Sequence, residues 1–244
     1  MSQKIEKVLI TGATGYVADQ MLAFMKEQYE TVLVDTREVN RRGEPVEGVN
    51  IVDLIDPDRG KYSHLFKGVD AVIHLAYKRR SGDPLDHFND EKQNVEMAYN
   101  VFRSSYDAGV QRVVMASSNH AADWYEHALI HSGDLDIVRP YDLPLSDNFY
   151  GWAKATYEHM GFLFASGGMG EGGDGASSNA ATGNLLAGNL NTSRKMGVVM
   201  VRIGAPRDID TEMYRGKEAA YKRDLGAYIS PRDITQLFHK AMET

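Results

Sequence analysis

The sequence predicts an α/β fold, a doubly wound parallel sheet with a small C-terminal segment set beside it. Three observations predict it. Short apolar runs alternate with helical patterns from residue 5 to about 116. The runs are continuously apolar, as strands buried on both faces are. The first run enters a glycine turn, Thr11-Gly12-Ala13-Thr14-Gly15-Tyr16-Val17-Ala18, that opens directly into a helical pattern.

Taken in order, the strand candidates are Lys7–Thr11, Thr31–Asp35, Asn50–Val52, Ala71–Leu75 and Arg112–Ala116. The helix candidates between them are Ala18–Gln28, Asp56–Phe66 and Gln93–Ala108. Gly197–Ile203 reads as a sixth strand and Pro231–Met242 as a closing helix. Repeated β-α alternation implies parallel pairing, with ligands bound at the carboxyl ends of the strands.

The opening turn has the form of a dinucleotide site. Gly12 permits the tight turn, Gly15 lets a pyrophosphate reach the backbone, and the small Ala18 lets helix and strand pack closely. The helix N-terminus offers unpaired N–H groups and a positive dipole end to an anion. Gly12, Thr14, Gly15, Tyr16 and Val17 are therefore candidate cofactor contacts. Asp35 ends the next strand, twenty residues past Gly15. Its carboxylate suits a ribose diol and repels a 2′-phosphate, so NAD is expected in preference to NADP. Arg37, two residues on, pulls weakly the other way.

The later strand ends carry the remaining candidates. Asp53-Leu54 suits an adenine contact, or Asp53 simply starts a helix. Leu75 and the small Ala76 would let a cofactor lie against the backbone, and His74 reads as a buried strand histidine. Lys78-Arg79-Arg80 is either a solvated charge run or a receiver for an anionic substrate group. The fifth strand ends in Ser117-Ser118-Asn119-His120. Tyr150 and Lys154 follow, four residues apart and so on one face of a helix. A nearby ammonium favours a phenolate, which makes Tyr150 an acid or base near neutral pH. The Ser118 hydroxyl could hold a substrate oxygen.

Bulk properties narrow the class. The chain has 244 residues, 43% hydrophobic and 25% charged, with a formal net charge of −7 and a pI of about 5.6. That argues for a small-molecule partner and against a nucleic-acid surface. With no cysteine there is no disulfide, thiolate metal site or cysteine nucleophile, and no metal site is predicted. No signal peptide fits the N-terminus, and no apolar run approaches the roughly 20 residues of a membrane span. A cytoplasmic protein without a membrane partner is expected.

Together these residues resemble the short-chain dehydrogenase/reductase superfamily in its extended, epimerase-like branch. The resemblance rests on Thr11–Ala18, Asp35, Asp53-Leu54, His74-Leu75-Ala76, Asn94-Val95, Ser117-Ser118, Tyr150 and Lys154, and it spans most of residues 5–165. It implies a Rossmann fold and a nicotinamide cofactor. It implies Tyr150 as catalytic acid/base, Lys154 on the nicotinamide ribose, Ser118 on the reacting oxygen and Asn94 in support of the site.

Within that branch the chain looks most like NAD-dependent uronate dehydrogenases and related sugar 1-dehydrogenases. Ser118-Asn119-His120 is similar to their substrate-binding Ser-Asn-His. Arg202-Ile203-Gly204 and Tyr228-Ile229-Ser230 resemble two further elements. Arg223 falls where that family places an arginine on the sugar carboxylate. Two departures stand out. Ala205 replaces a serine, and Tyr77-Lys78-Arg79-Arg80 replaces a small neutral loop. The gained cations, Arg79 among them, point to a different anionic sugar, such as a phosphate or sulfonate.

Residues 1–244 are read as a single domain. Residues 166–195 form a Gly/Ser/Asn-rich insertion whose composition buries too little apolar area to offset its ordering entropy. Leu185, Leu186 and Leu190 could anchor it. A surface loop, a substrate lid and an oligomer contact all fit its composition. Residues 204–230 are a small substrate-side segment, too short for the larger substrate domain of nucleotide-sugar epimerases. The expected activity is oxidation of a sugar hydroxyl, most simply at the anomeric carbon, to a lactone. A nucleotide-sugar epimerase or dehydratase and a dinucleotide-sensing protein remain as alternatives, and a homo-oligomer is possible.

Overall fold

The computed structural model describes residues 4–166 and 196–243. Six strands form one sheet in the order β3-β2-β1-β4-β5-β6. They are β1 (Lys7–Thr11), β2 (Glu30–Asp35), β3 (Val49–Ile51), β4 (Ala71–His74), β5 (Arg112–Ser118) and β6 (Gly197–Ile203). Every pair is parallel. This is the Rossmann arrangement the sequence predicts. The chain reverses its direction of travel across the sheet between β1 and β4, and a crevice opens at that switch point.

The main helices are α1 (Tyr16–Gln28), α2 (His87–Ala108), the single turn α3 (Asp123–Tyr125), α4 (Phe149–Ser166), α5 (Glu218–Gly226) and α6 (Pro231–Glu243). Successive strand residues point to opposite faces. Leu9, Val72, Val113 and Met115 therefore pack with Phe102, Tyr157 and Phe164 of α2 and α4. Val8, Ile10, Ile73 and Val114 pack with Met21, Met25, Ile234 and Phe238 of α1 and α6. Burial on both faces is why the strands read as unbroken apolar runs.

Two stretches differ from the sequence expectation. Asp56–Phe66 is not an α-helix but two short 3-10 turns, Arg59–Lys61 and Ser63–Phe66. Pro57 and Gly60 are poor helix residues there. The Asp56 and Asp58 carboxylates accept from backbone N–H groups two residues on, which favours turns over a continuous helix. The second is the segment read at 204–230, for which no elements were expected and which contains a 3-10 turn at Thr211–Tyr214 as well as α5. It leaves and returns through one point, where Ala205 bridges Tyr228. The insertion expected at 166–195 lies outside the described residues apart from Ser166, which ends α4. Among the described residues no helix is long and apolar enough to cross a membrane.

Candidate active site

The carboxyl ends of the strands open into one elongated cleft of about 1090 Å³. Its cofactor end is built by the glycine turn. Gly12 has φ +66°, and a Cβ there would stand 2.6 Å from the Ala76 nitrogen and 2.8 Å from the Leu75 carbonyl carbon. The absent side chain is what lets the β1–α1 turn lie against the end of β4. Gly15 caps α1 with no side chain bonded to the first-turn N–H groups, so that helix end faces the cleft with donors to spare. The Thr11 hydroxyl accepts from the Leu75 and Ala76 amides at 3.2 Å and shares a hydrogen bond with His74 Nδ1 at 2.7 Å. This ties β4 to the turn.

Asp35 sits at the rim. Its Oδ2 accepts from the Thr14 amide at 2.9 Å and from the Thr14 hydroxyl at 2.7 Å. Its Oδ1 accepts from the Thr36 amide at 2.7 Å, so the carboxylate is fixed beside the turn. The residues lining this end include Tyr16, Val17, Asp53, Leu54, Leu75 and Ala76. Arg37, Arg41 and Arg79 line it too, and no carboxylate pairs with any of them among the described residues. Burial first, then the charges of Arg79 and Arg37, hold the Arg41 guanidinium below its ordinary range. A cluster of unpaired cations beside a helix N-terminus suits a pyrophosphate. The glycine cradle, the open helix end and the rim carboxylate therefore fit a bound NAD.

The far end holds Ser118, His120, Asp123, Tyr150, Lys154 and Arg223. Tyr150 enters at the start of α4, where Gly151 leaves no space for a side chain against the His120 carbonyl and the Ser146 hydroxyl. That close approach brings the tyrosine to the end of β5. Lys154, 5% exposed, donates to the Ala116 carbonyl at 2.9 Å, and its Nζ stands 5.5 Å from the Tyr150 ring centroid. Burial pulls this ammonium down to about 8, with Glu91 opposing.

The sequence expectation that the ammonium lowers the Tyr150 pKa needs correction. Burial is the largest influence on Tyr150 and raises its pKa, and Ser118 and Arg80 only partly counter that.

The basic triplet is divided among three destinations. Lys78 is held against α2, where its backbone N–H and carbonyl bond the Asn94 side chain at 2.8 and 2.9 Å. Its ammonium meets Asp90 at 3.5 Å. Arg79, expected at the substrate, lines the same cleft, and its charge acts on Arg41. Arg80 lies with its guanidinium 5.3 Å from the Tyr150 ring centroid. The Asn94 side chain clamps this loop through both hydrogen bonds to the Lys78 backbone.

Other candidates are displaced from the cleft wall. Asn94 is fully buried and supports the loop, Thr14 is fully buried on Asp35, and Asn119 accepts from the Ser118 hydroxyl at 3.3 Å. None of the three is among the lining residues. Arg223 lines the cleft but is already paired, with Glu126 at 2.8 Å and Asp123 at 3.4 Å. A substrate carboxylate would have to share it. Asp123 also binds His120 and the Asn148 amide. Burial disfavours its charge, yet His120, Asn148 and Arg223 together hold its carboxyl below the usual range.

Sequence reading named Tyr77 and Arg80 only as members of the basic loop and missed Glu91, Asp123 and Asn148. For Glu91 a signal existed. Glu91, Asn94, Ala98 and Val101 recur at helical spacing, so Glu91 stands on the buried stripe of α2.

His74 yields a stability prediction. Burial, then the Lys154 charge, holds its pKa down to about 3 against an ordinary 6.5. Between those values the unfolded chain takes a proton that the folded one refuses. Stability is thus full above pH ~6.5 and declines as pH falls toward ~3. In urea melts at pH 7 and pH 4.5, His74→Leu should lose less stability on acidification than the parent protein. Equal losses would contradict the assignment.

The fold and the cleft define a dinucleotide-dependent α/β protein with a tyrosine-lysine pair at the far end. The NAD dependent epimerase/dehydratase family model matches residues 8–166, and the chain belongs to that family. Over 255 residues it is 28% identical to the NAD-dependent glucose-6-phosphate dehydrogenase of Haloferax volcanii, covering 98% of this chain and 80% of that one. Over 155 residues it is 30% identical to the uronate dehydrogenase of Pseudomonas putida, covering 62% of this chain and 53% of that one. The uronate dehydrogenase structure from Agrobacterium tumefaciens superposes with a TM-score of 0.64 at 19% identity, over 98% of this chain and 72% of that one. The last likeness bears on the fold.

Proposed function

We propose that the protein is an NAD-dependent dehydrogenase that oxidises a hydroxyl-bearing carbon, most simply the anomeric one, of a free anionic sugar. The observation that carries this is a single cleft with a dinucleotide cradle at one end and Tyr150, Lys154 and Ser118 at the other. Gly12, Gly15, Tyr16, Val17 and Asp35 hold the cofactor, which when bound supplies the hydride acceptor. Ser118 receives the sugar oxygen, and Tyr150 as phenolate takes its proton. Lys154 and Arg80, both cationic and both near the Tyr150 ring, favour that phenolate once the sugar is seated. The loss of one proton and one hydride leaves the lactone.

Two findings support an anionic sugar. Arg80 lies over the Tyr150 ring with His120 at its edge, and Arg223 lines the same cleft. Relatives of this chain carry the names glucose-6-phosphate dehydrogenase and uronate dehydrogenase. We take residues 204–230 as a small cap on the sugar within one domain. The test is NADH absorbance with a panel of hexuronates, phosphorylated aldoses and neutral aldoses. Turnover of a phosphorylated aldose or a uronate at least about tenfold above the matching neutral sugar is expected. No NADH from any of them contradicts the proposal.

A further inference from the structure

We propose that Glu91 is a positioning residue for this chemistry, a buried carboxylate that holds Arg80 over Tyr150 and supplies the counter-charge of the tyrosine-lysine pair. The inference rests on the reading of Tyr150 and Lys154 as the reacting pair.

Glu91 stands on α2 and is fully buried, an unusual position for a carboxylate. It is not left alone. The Tyr77 hydroxyl donates to its Oε1 at 2.7 Å, the Asn94 amide donates to its Oε2 at 3.2 Å, and the Arg80 guanidinium approaches to 3.5 Å. All three partners belong to the β4 loop or to the residue that clamps it. Tyr77 in turn meets the Tyr150 ring edge-on at 5.4 Å, and the Lys154 ammonium lies 5.5 Å from the Tyr77 ring centroid. One carboxylate thus fixes the aromatic wall and the cation on one side of the reacting pair. A fold without need of this charge would place an apolar residue here at less desolvation cost.

The groups facing Glu91 are Tyr77, Arg80 and Asn94, with Lys154, Tyr150 and Tyr157 of α4 acting through space. Tyr150 additionally faces Ser118, His120 and Asp123. The negative charge of Glu91 raises the pKa values of both Tyr150 and Lys154. Glu91→Gln removes that contribution and so lowers both. Removing Arg80 instead leaves Glu91 uncompensated and raises Tyr150.

The experiment is a near-ultraviolet titration of tyrosinate in the ligand-free protein, with the Tyr150→Phe trace subtracted to isolate Tyr150. Glu91→Gln should move its midpoint down by about one pH unit, and Arg80→Met should move it up. The pH profile of kcat/KM for the sugar that reduces NAD should shift the same way for each variant. A merely structural Glu91 would change amplitude and leave the midpoints in place. Unmoved midpoints in both variants overturn the proposal. If Glu91→Gln does not fold, the exposed Arg80→Met decides, and an unmoved or lowered midpoint there overturns it. Full activity of Tyr150→Phe would instead defeat the underlying reading of the reacting pair, so the two failures are distinguishable.

Discussion

Tyr150→Phe is expected to lower kcat for sugar oxidation by about 10³-fold while leaving NAD affinity unchanged. Only the hydroxyl is lost. The ring keeps its edge contacts with Tyr77 and His120, each at 5.4 Å between centroids, and the Arg80 guanidinium above it. The start of α4 is held by Gly151, whose amide donates to the Asn148 side chain at 2.9 Å, so the substitution does not reshape the cleft. Asp123 is engaged by His120, Asn148 and Arg223, and Lys154 donates to the Ala116 carbonyl. Initial rates of NADH formation and a fluorescence titration with NADH measure the two effects separately. Activity within about tenfold of the parent would contradict the role.

Gly12→Ala is expected to have the second large effect, on cofactor binding and on stability together. The residue sits at φ +66°, where a Cβ costs roughly 1–2 kcal/mol by itself. That Cβ would also press on the nitrogen and Cα of Ala76 and on the Leu75 carbonyl carbon, at 2.6 to 2.8 Å. All three are backbone atoms of the segment that ends β4, so none can rotate away. Either the turn or the β4 end must shift, and both line the cofactor end of the cleft. A fall in NADH affinity of more than tenfold is expected, with a fall in the urea midpoint. Unchanged NADH binding in a titration would show that the close approach does not build the site.

Much of this fold was legible because burial on both faces of the sheet leaves a simple trace. Lys7–Thr11 and Gly197–Ile203 read from the sequence at their observed bounds. Asp56–Phe66 failed because aspartates that bond their own backbone compete with a helix, and apolar spacing alone does not register that. The stretch from Asn119 to Asn148 carried no periodic signal. It winds through short turns that are held by side chains such as Asp123 and Asn148, whose partners lie far away in sequence.

At the site, residue types were more legible than their electrostatics. Tyr150 and Lys154 sit on one helix, as their spacing requires, yet burial rather than the ammonium dominates the tyrosine. The basic triplet was read as one unit, and its three side chains part in the structure. Spacing alone could not tell that Arg80 is the member of the triplet lying over the Tyr150 ring. Glu91 was hidden because a carboxylate on a buried stripe reads as a break in the pattern until its partners are seen.

The most direct test of the central claim is the stoichiometry of NADH against sugar acid, with NAD in excess and the most active sugar of the panel. Net oxidation by Tyr150 and Lys154 predicts one NADH released for each sugar converted to its lactone or aldonate, continuing over many turnovers. Sugar returned epimerised or dehydrated with no net NADH would contradict it.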